Sequence, residues 1–345
     1  MTFNFKYLLT LLFIGGSFCT RLFAVAPLPG SGLVEPQRPR APFTLNTMDA
    51  TSRHAIAPQR APRINLAPRG LLIMVNFTDV QFAENNTQLA FDSLANGDNY
   101  TYNGATGSCK QYFTDQSNGK YSPQFDVVGP ITLPNPMAFY GANAADGNDK
   151  YIVDFVIDAC KGADSLGVDF TNYDNDEDGM VDFVYIIYAG YAESEWGGEN
   201  TIWPHYSTIY SSESYAGKRI SGYLMISEYR GSGGKQQAGI GTYSHEFGHV
   251  LGLPDLYDTY NSSHYTVGDW DIMCSGSYNN LGCTPPSYSA FERFAMGWLT
   301  PIQLKEEGDY RIEPLLESNT AYLIANSEHN LSMLRPNPNE YFLIE

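Results

Sequence analysis

The 345-residue sequence predicts an α+β fold, in which a mixed α/β layer is built around a mixed sheet. From Gly70 onward, apolar runs of strand length alternate with amphipathic segments of helical length. The hydrophobic content of 43% is enough to bury a large core, and no internal repeat is present. These observations favour a single globular domain over residues 69–345.

Four segments are predicted as strands and three as helices. The strands are GLLIMVNF (70–77), SPQFDVVGPITLP (122–134), VDFVYIIYAG (181–190) and RISGYLMISEY (219–229). The helices are NTQLAFDSLANG (86–97), GSCKQYFTDQS (107–117) and DKYIVDFVIDACKGADSLG (149–167). The third predicted strand is apolar almost throughout, which is typical of a strand buried on both faces. In the third helix, Ile152, Val156 and Cys160 share one face.

Residues 1–26 have the pattern of a secretory signal peptide. Lys6 supplies the positive charge, and the apolar run 7–18 is too short to span a bilayer comfortably. Ala24-Val25-Ala26 offers a cleavage site, but Pro27 follows it directly, so an uncleaved anchor with retention at the cell surface is the alternative. No later apolar stretch approaches the length of a membrane span. The sequence therefore predicts a secreted or extracellular protein.

Residues 27–68 are predicted to be a pro-segment or a linker. The segment holds eight prolines and little apolar periodicity, so it cannot form a core. It contains five arginines and two acidic residues, whereas the whole chain has a net charge of −18. A basic segment thus precedes a strongly acidic domain, and this acidity argues against nucleic acid as a partner.

An acidic loop, DNDEDGMVD (174–182), predicts a structural calcium site. Asp174, Asp176 and Asp178 occupy alternate positions and a glycine follows them, as in the first half of an EF-hand loop. The glutamate that usually closes such a loop is missing, and Asp182 is the predicted substitute. Carboxylates this close repel one another unless a cation is present. The alternative is a solvated acidic turn.

The segment SHEFGHVLGLPDLYD (244–258) carries the predicted active site. His245 and His249 are four residues apart, so they lie on one helical face and can bind one metal ion. Glu246 is displaced around the helix, where it can act as general base without being a ligand. This is the His-Glu-x-x-His signature of zinc peptidases.

Two glycines and an aspartate extend this motif. Gly248 lies inside the helix, where glycine costs roughly 1 kcal/mol relative to alanine, so a neighbour must require the missing side chain. Gly252 allows the chain to turn back toward the metal. Asp255 is then the predicted third zinc ligand, and Asp258 is the rival. Three protein ligands with an open fourth position are typical of catalytic zinc.

Met273 follows Asp255 by eighteen residues in a turn-rich stretch, as in the methionine turn of metzincins. Together with GLPDLYD, GDWDIM, GSYNN and PPSYSAFERFAMGWLTP, the motif resembles the immune inhibitor A-like secreted metallopeptidases of bacteria over about residues 70–345. The metzincin motif usually ends in histidine, and Asp255 occupies that position here. The resemblance implies a metzincin-like fold with a twisted sheet, an active-site helix and a C-terminal helix. It also implies Zn²⁺, often structural Ca²⁺, and extracellular proteolysis.

Further residues receive roles from this interpretation. Glu246 would activate the attacking water and protonate the leaving amine. Tyr278 is a candidate oxyanion donor, and the favoured alternative is a packed loop aromatic. His205 and His264 are expected to be structural or rim residues. The resemblance also implies that EYFLIE at the end of the chain is a strand of a β segment that continues, so we expect the catalytic domain to be incomplete there.

The cysteines are interpreted in the light of predicted export, because an oxidising compartment permits disulfides. Cys274 and Cys283 enclose a short loop and are the predicted pair. Other connectivities among Cys109, Cys160, Cys274 and Cys283 remain open, as does a set of free buried thiols.

The sequence therefore predicts a secreted zinc endopeptidase that acts on protein or peptide substrates. The alternatives are a catalytically inactive surface-binding module and a metal-dependent hydrolase of non-peptide amides. A latency hypothesis adds that residues 27–68 inhibit in cis, with the Asp49 carboxylate near the zinc.

Overall fold

The computed structural model describes residues 2–4, 23–24, 67–145, 147–259, 266–325 and 341–345. Apart from two short strands, the predicted signal peptide lies outside the described residues, and so do Asp49, His264 and residues 27–66 of the predicted pro-segment. Cleavage of the signal peptide and inhibition by residues 27–68 therefore stay predictions. Among the described residues, no helix is long and apolar enough to cross a membrane.

The described elements follow in chain order. The strands are β1 (Thr2–Asn4), β2 (Phe23–Ala24), β3 (Arg69–Asn76), β4 (Gln124–Thr132), β5 (Met180–Val181), β6 (Val184–Tyr191), β7 (His205–Thr208), β8 (Arg219–Ile220), β9 (Gly222–Tyr229), β10 (Ile302–Gln303), β11 (Asp309–Arg311), β12 (Tyr322–Ile324) and β13 (Phe342–Ile344). The α-helices are α1 (Gln88–Asn96), α2 (Cys109–Gln116), α3 (Met137–Gly141), α4 (Ile152–Ser165), α5 (Ile240–Val250), α6 (Ala290–Ala295) and α7 (Leu315–Ser318).

A six-stranded mixed sheet with the order β2-β7-β9-β6-β3-β4 forms the centre of the domain. Strands β4, β3, β6 and β9 are parallel, whereas β7 runs antiparallel to β9 and β2 antiparallel to β7. Parallel neighbours require crossover connections, which α1 and α2 provide between β3 and β4 and α4 provides between β4 and β6. The predicted mixed α/β architecture is confirmed.

The sheet is covered by helices on both faces. In β3, Leu71 and Ile73 belong to a core that includes α4, whereas Leu72 and Met74 belong to the core that includes Phe247 of α5. This alternation follows from the two-residue period of a strand. It explains why β3 is apolar at every buried position. Helix α5 packs together with α1 and α2 on the face of the sheet that carries the site.

The predicted elements are present with small differences at their ends. RISGYLMISEY divides into β8 and β9 because Ser221 donates its backbone N–H to Val181, and β8 pairs with β5 instead of joining the central sheet. The predicted C-terminal helix is α6, which a capping box between Ser289 and Glu292 begins. EYFLIE contains β13, which pairs with β12. Strand β7, which lies between β2 and β9, was not predicted from the sequence.

Candidate metal centre

Two aromatic side chains one turn apart hold helix α5 against helix α2 and strand β6. The ring centroid of Phe247 lies 4.8 Å from that of Phe113, and the centroid of Tyr243 lies 4.0 Å from that of Tyr185. The Tyr185 hydroxyl also donates to the Tyr243 carbonyl at 3.2 Å. Side chains at different positions around a helix project in different directions. Packing of Tyr243 and Phe247 therefore fixes the direction in which His245 and His249 project.

The helix ends in a turn that brings the chain back toward its own last residues. Gly252 has a φ of +95°, with its backbone N–H bonded to the His249 carbonyl at 3.0 Å, and Leu253 N–H bonds to the Gly248 carbonyl at 3.0 Å. This is a Schellman motif, whose left-handed residue is most easily glycine. A side chain at Gly252 would meet no atom within 4 Å, so the requirement is conformational and not steric.

Both histidine rings are oriented by backbone carbonyls. The Nδ1 atom of His245 lies 2.7 Å from the Ile272 carbonyl oxygen, and the Nδ1 atom of His249 lies 2.8 Å from the Leu253 carbonyl oxygen. A carbonyl can only accept, so each Nδ1 carries the proton, and in a neutral ring Nε2 keeps its lone pair. Backbone partners of this kind fix the tautomer of metal-binding histidines.

The lone pairs converge on one carboxylate. His245 Nε2 and His249 Nε2 each lie 3.3 Å from Asp255 Oδ1, and all three side chains are buried. For bonds of about 2.0–2.1 Å, tetrahedral ligand atoms stand about 3.3–3.4 Å apart, so the spacing fits a zinc ion. The structure groups Asp255, and not the rival Asp258, with the histidines as a possible metal site.

The three side chains of this group shift one another's pKa values. Burial lowers the pKa of His245, but the Asp255 hydrogen bond and the Glu246 and Asp255 charges outweigh it and raise that pKa to about 9. Burial also lowers the pKa of His249, and there the effect of Asp255 does not reverse it. The two histidines hold the pKa of Asp255 below its usual range despite its burial. Asp255 is therefore an anion placed to meet a cation.

The remaining predicted residues occupy distinct positions. Glu246 is fully buried on α5, and its charge acts on His245. Tyr278 ends a 3₁₀ turn at Ser275–Tyr278 and is half-buried, so its oxyanion role stays a prediction. His205 is buried, with Nδ1 bonded to the Trp203 carbonyl at 2.7 Å and Nε2 lying 3.1 Å from the Tyr223 hydroxyl, which is a structural arrangement.

Comparison with known proteins identifies the family of the domain that carries this site. The chain matches the catalytic domain of the immune inhibitor A peptidase M6 family over residues 70–299. The chain belongs to this family. It is 32% identical to Immune inhibitor A of Bacillus thuringiensis subsp. alesti over 213 residues, which are 52% of this chain and 30% of that protein. It is 26% identical to the Pre-pro-metalloprotease PrtV of Vibrio cholerae serotype O1 over 273 residues, which are 66% of this chain and 29% of that protein.

Membership of the immune inhibitor A peptidase M6 family confirms the predicted resemblance and the assignment to the metallopeptidases. The chain spans about 30% of the length of these curated relatives. What the family match establishes is therefore the class of the catalytic domain.

Met273 packs beneath the predicted metal ligands, in the position that the sequence predicted for a methionine floor. Met273 is fully buried, and a Cβ atom added at Gly248 would lie 2.6 Å from Met273 Sδ and 3.0 Å from the Tyr288 hydroxyl. The glycine inside the helix thus allows Met273 to pack directly against the backbone between the two histidines. The Met273 carbonyl in turn accepts the Leu256 N–H at 2.8 Å, which ties the Asp255 loop to the same turn.

A Gly248→Ala substitution is expected to destabilise the domain by about 1–3 kcal/mol, although alanine is the better helix former, because the methyl group overpacks the floor. Met273→Ala should also destabilise it, by leaving a cavity. The double variant is expected to lose less than the sum, because each change relieves the other. Urea unfolding of the four proteins measures this coupling, and additive losses would contradict direct packing of Met273 on Gly248.

A pair of buried carboxyl groups supports the methionine turn. Glu292 accepts the Ser289 N–H at 2.6 Å, and Asp271 accepts the Met273 N–H at 2.7 Å. Burial and the neighbouring Asp271 charge raise the pKa of Glu292 well above its usual range, and burial raises the pKa of Asp271 to about 6. A raised pKa favours the protonated form of Glu292, and a proton on this carboxyl group would allow a hydrogen bond to the Asp271 carboxylate.

This pair predicts a pH dependence of stability. Both pKa values are higher in the folded than in the unfolded state, so the folded chain binds more protons and the free energy of unfolding falls as pH rises above about 4. Glu292→Gln retains a donor without ionising, and we expect its stability to fall less steeply between about pH 4 and 7. The measurement is urea unfolding of the zinc-loaded proteins across that range. Glu292→Ala, which removes the helix cap, should be less stable at every pH, and equal slopes for wild type and Glu292→Gln would contradict the shared proton.

The acidic loop brings together three of the four predicted calcium ligands. Carboxylate oxygens of Asp174, Asp176 and Asp182 lie within 4.8 Å of one another. Asp178 is instead engaged within the turn, where its Oδ1 accepts the Met180 N–H at 2.9 Å. Lys218 Nζ lies 2.6 Å from Asp174 Oδ2, which supplies a positive charge that the sequence did not indicate.

The predicted Cys274–Cys283 disulfide is not formed in the structure. Both thiols are free, as are those of Cys109 and Cys160. Cys274 Sγ lies 3.4 Å from the Thr266 hydroxyl, whereas Cys283 Sγ lies 3.5 Å from the Arg230 guanidinium. The two sulfur atoms thus contact different residues, which could not be predicted from their spacing in the sequence.

Proposed function

We propose that this domain is a secreted zinc-dependent endopeptidase that hydrolyses peptide bonds of extracellular proteins. The observation that carries the proposal is the convergence of His245 Nε2, His249 Nε2 and Asp255 Oδ1 at 3.3 Å spacings, with Glu246 buried one residue from the first ligand. The two imidazoles and the carboxylate would hold the zinc. The M6 family match supports the metallopeptidase class.

The chemistry divides between metal and protein. A zinc ion with three protein ligands polarises a carbonyl and lowers the pKa of water to about 7. Glu246 is the proposed general base, which takes the proton of the attacking water and delivers it to the leaving amine. Asp255 and the two Nδ1–carbonyl bonds keep the ligand set preorganised, so the site needs little rearrangement before reaction.

The test of this function is proteolysis with and without metal. Full-length protein should cleave casein, lose the activity with o-phenanthroline, and regain it when zinc is restored. A protein that binds zinc and casein without cleaving it would favour the inactive surface-binding alternative. Hydrolysis of small amides without cleavage of any protein substrate would favour the non-peptide hydrolase.

We also propose a structural calcium ion in the loop 174–182. Support comes from the grouping of Asp174, Asp176 and Asp182 and from the pKa of Asp182, which burial raises and the other two charges raise further. A divalent cation would relieve this repulsion. Lys218 competes for Asp174, so calcium has to displace that ammonium group or share the carboxylate with it.

Calcium is expected to raise the melting temperature of the wild-type domain, because a ligand bound only by the folded state stabilises it. Asp176→Asn combined with Asp182→Asn should bind one calcium fewer per chain in isothermal titration calorimetry. Lys218→Gln serves as the matched change and should tighten calcium binding. Unchanged stoichiometry in the double variant would show that the loop is a solvated acidic turn.

A further inference from the structure

A second group of buried oxygen atoms lies between the loop 142–149 and the segment 193–203. Asn148, Asp149 and Glu193 are all more than nine-tenths buried, and Ser194 is completely buried. Asn143 connects them, because its backbone pairs with Asp149 in an isolated antiparallel bridge and its side-chain Nδ2 donates to Glu193 Oε1 at 2.7 Å. Buried polar residues from two separate segments are therefore joined through Asn143.

Backbone bonds hold these two segments together. Asn143 N–H donates to the Glu199 carbonyl at 3.1 Å, and Glu193 N–H donates to the Ile202 carbonyl at 3.1 Å. Trp203 N–H lies 3.4 Å from Asp149 Oδ2. Asn143 is thus linked to Glu193 through its side chain and to Asp149 through its backbone.

Two oxygen atoms of the group point to a ligand. Asn143 Oδ1 and Ser194 Oγ are inaccessible to solvent and have no hydrogen-bond partner among the residues that the structure describes. Buried polar atoms are nearly always paired, because leaving one unsatisfied costs about 1–3 kcal/mol. The Asn143 oxygen belongs to the same amide whose nitrogen contacts Glu193, so it lies beside that carboxylate.

We propose that these residues form a calcium site distinct from both the metal centre and the loop 174–182. The donors are two carboxylates, two amide oxygens and a hydroxyl, supplied by Asn143, Asn148, Asp149, Glu193 and Ser194. An all-oxygen set of this size suits calcium, which takes six to eight oxygens in flexible geometry, better than magnesium or zinc. Calcium would also neutralise the two buried carboxylates.

The position of the site gives the ion a structural consequence. The segment 193–203 follows β6 and leads directly into β7. Glu195 Oε2 accepts the N–H of Gly231, which lies in the loop that precedes α5, at 2.6 Å. A cation bound to Glu193 and Asp149 would therefore fix the segment that connects β6 to β7 and that contacts the loop before α5. This inference does not depend on the proposed proteolytic activity.

The experiment measures binding of calcium alone to the full chain after chelation. The Asp176→Asn/Asp182→Asn variant removes the other candidate site and should still bind one calcium, with a Kd no weaker than about 1 mM, the weak end of extracellular calcium modules. Terbium in place of calcium should give luminescence on excitation at the tryptophan band, because Trp203 adjoins Asp149. Failure of this variant to bind either ion would overturn the proposal.

Two further substitutions in that background locate the ion. Glu193→Gln should weaken calcium binding at least about tenfold, because the charge of the ligands sets the affinity. Glu199→Gln is the matched control, since Glu199 lies on the same segment and is exposed. It should leave the calcium affinity of the Asp176→Asn/Asp182→Asn variant unchanged. Unchanged affinity in Glu193→Gln would also overturn the proposal. If Glu193→Gln fails to fold, Asp149→Asn takes its place, and the result for the background variant stands by itself.

Discussion

Replacing Glu246 by glutamine is expected to lower kcat/KM for a peptide substrate by about 10³–10⁴-fold and to leave zinc content and melting temperature nearly unchanged. Proton transfer by a positioned general base contributes up to about 10⁴-fold, and here the same residue would also protonate the leaving amine. Glutamine has the size of glutamate, so the packing of α5 is kept while the base is lost. Quenched-fluorescence peptide hydrolysis by protein matched for zinc content measures the effect.

The control is a second carboxylate that is equally buried. Glu228 on β9 is fully buried and accepts hydrogen bonds from Ala83 N–H, Asn86 Nδ2 and Gly190 N–H. Glu228→Gln should lower the melting temperature and keep the turnover of the folded molecules. Near-normal hydrolysis by Glu246→Gln would remove Glu246 from the chemistry, and an equal loss in both variants would mean that burial of a carboxylate, and not its position, explains the effect.

Replacing Asp255 by alanine is expected to weaken zinc binding by more than about 100-fold, because loss of a ligand should exceed the 10–100-fold cost of losing a residue that only orients one. The loss of proteolysis should follow the loss of zinc. Zinc competition with a fluorescent chelator at fixed pH measures the affinity, and mass spectrometry of the purified protein measures the zinc content.

Asp258→Ala is the matched change, since the sequence leaves the two aspartates as rivals and only Asp255 lies 3.3 Å from both histidine nitrogens. We expect Asp258→Ala to keep stoichiometric zinc. The reverse outcome, with zinc lost in Asp258→Ala and kept in Asp255→Ala, would exchange their roles. His205→Ala provides a second control, because it removes a buried histidine that the structure bonds to Trp203 and Tyr223.

The sequence predicts the metal-centre residues because helix periodicity alone places His245 and His249 on one face. The turn at Gly252 was also predictable, since a positive φ after the last helical residue favours glycine. The orienting groups could not be predicted. They are the carbonyls of Leu253 and Ile272, and a backbone carbonyl leaves no residue-type signal in a sequence.

Other features needed three-dimensional information for related reasons. The pairing of Cys274 with Cys283 was wrong because spacing does not determine where a thiol points. Lys218 reaches Asp174 from a segment 44 residues away, so its competition with calcium was not visible in the acidic motif. Likewise, the ring of Tyr206 on β7 lies 6.4 Å from that of His249, although β7 itself was not predicted.

The most direct test of the metal centre is the X-ray absorption spectrum of the zinc-loaded protein at the zinc edge. We predict a shell of nitrogen and oxygen atoms at about 2.0–2.1 Å and outer-shell scattering from two imidazoles, one of which is lost in His245→Ala. Sulfur scattering at about 2.3 Å, or an imidazole signal unchanged by His245→Ala, would contradict zinc coordination by His245, His249 and Asp255.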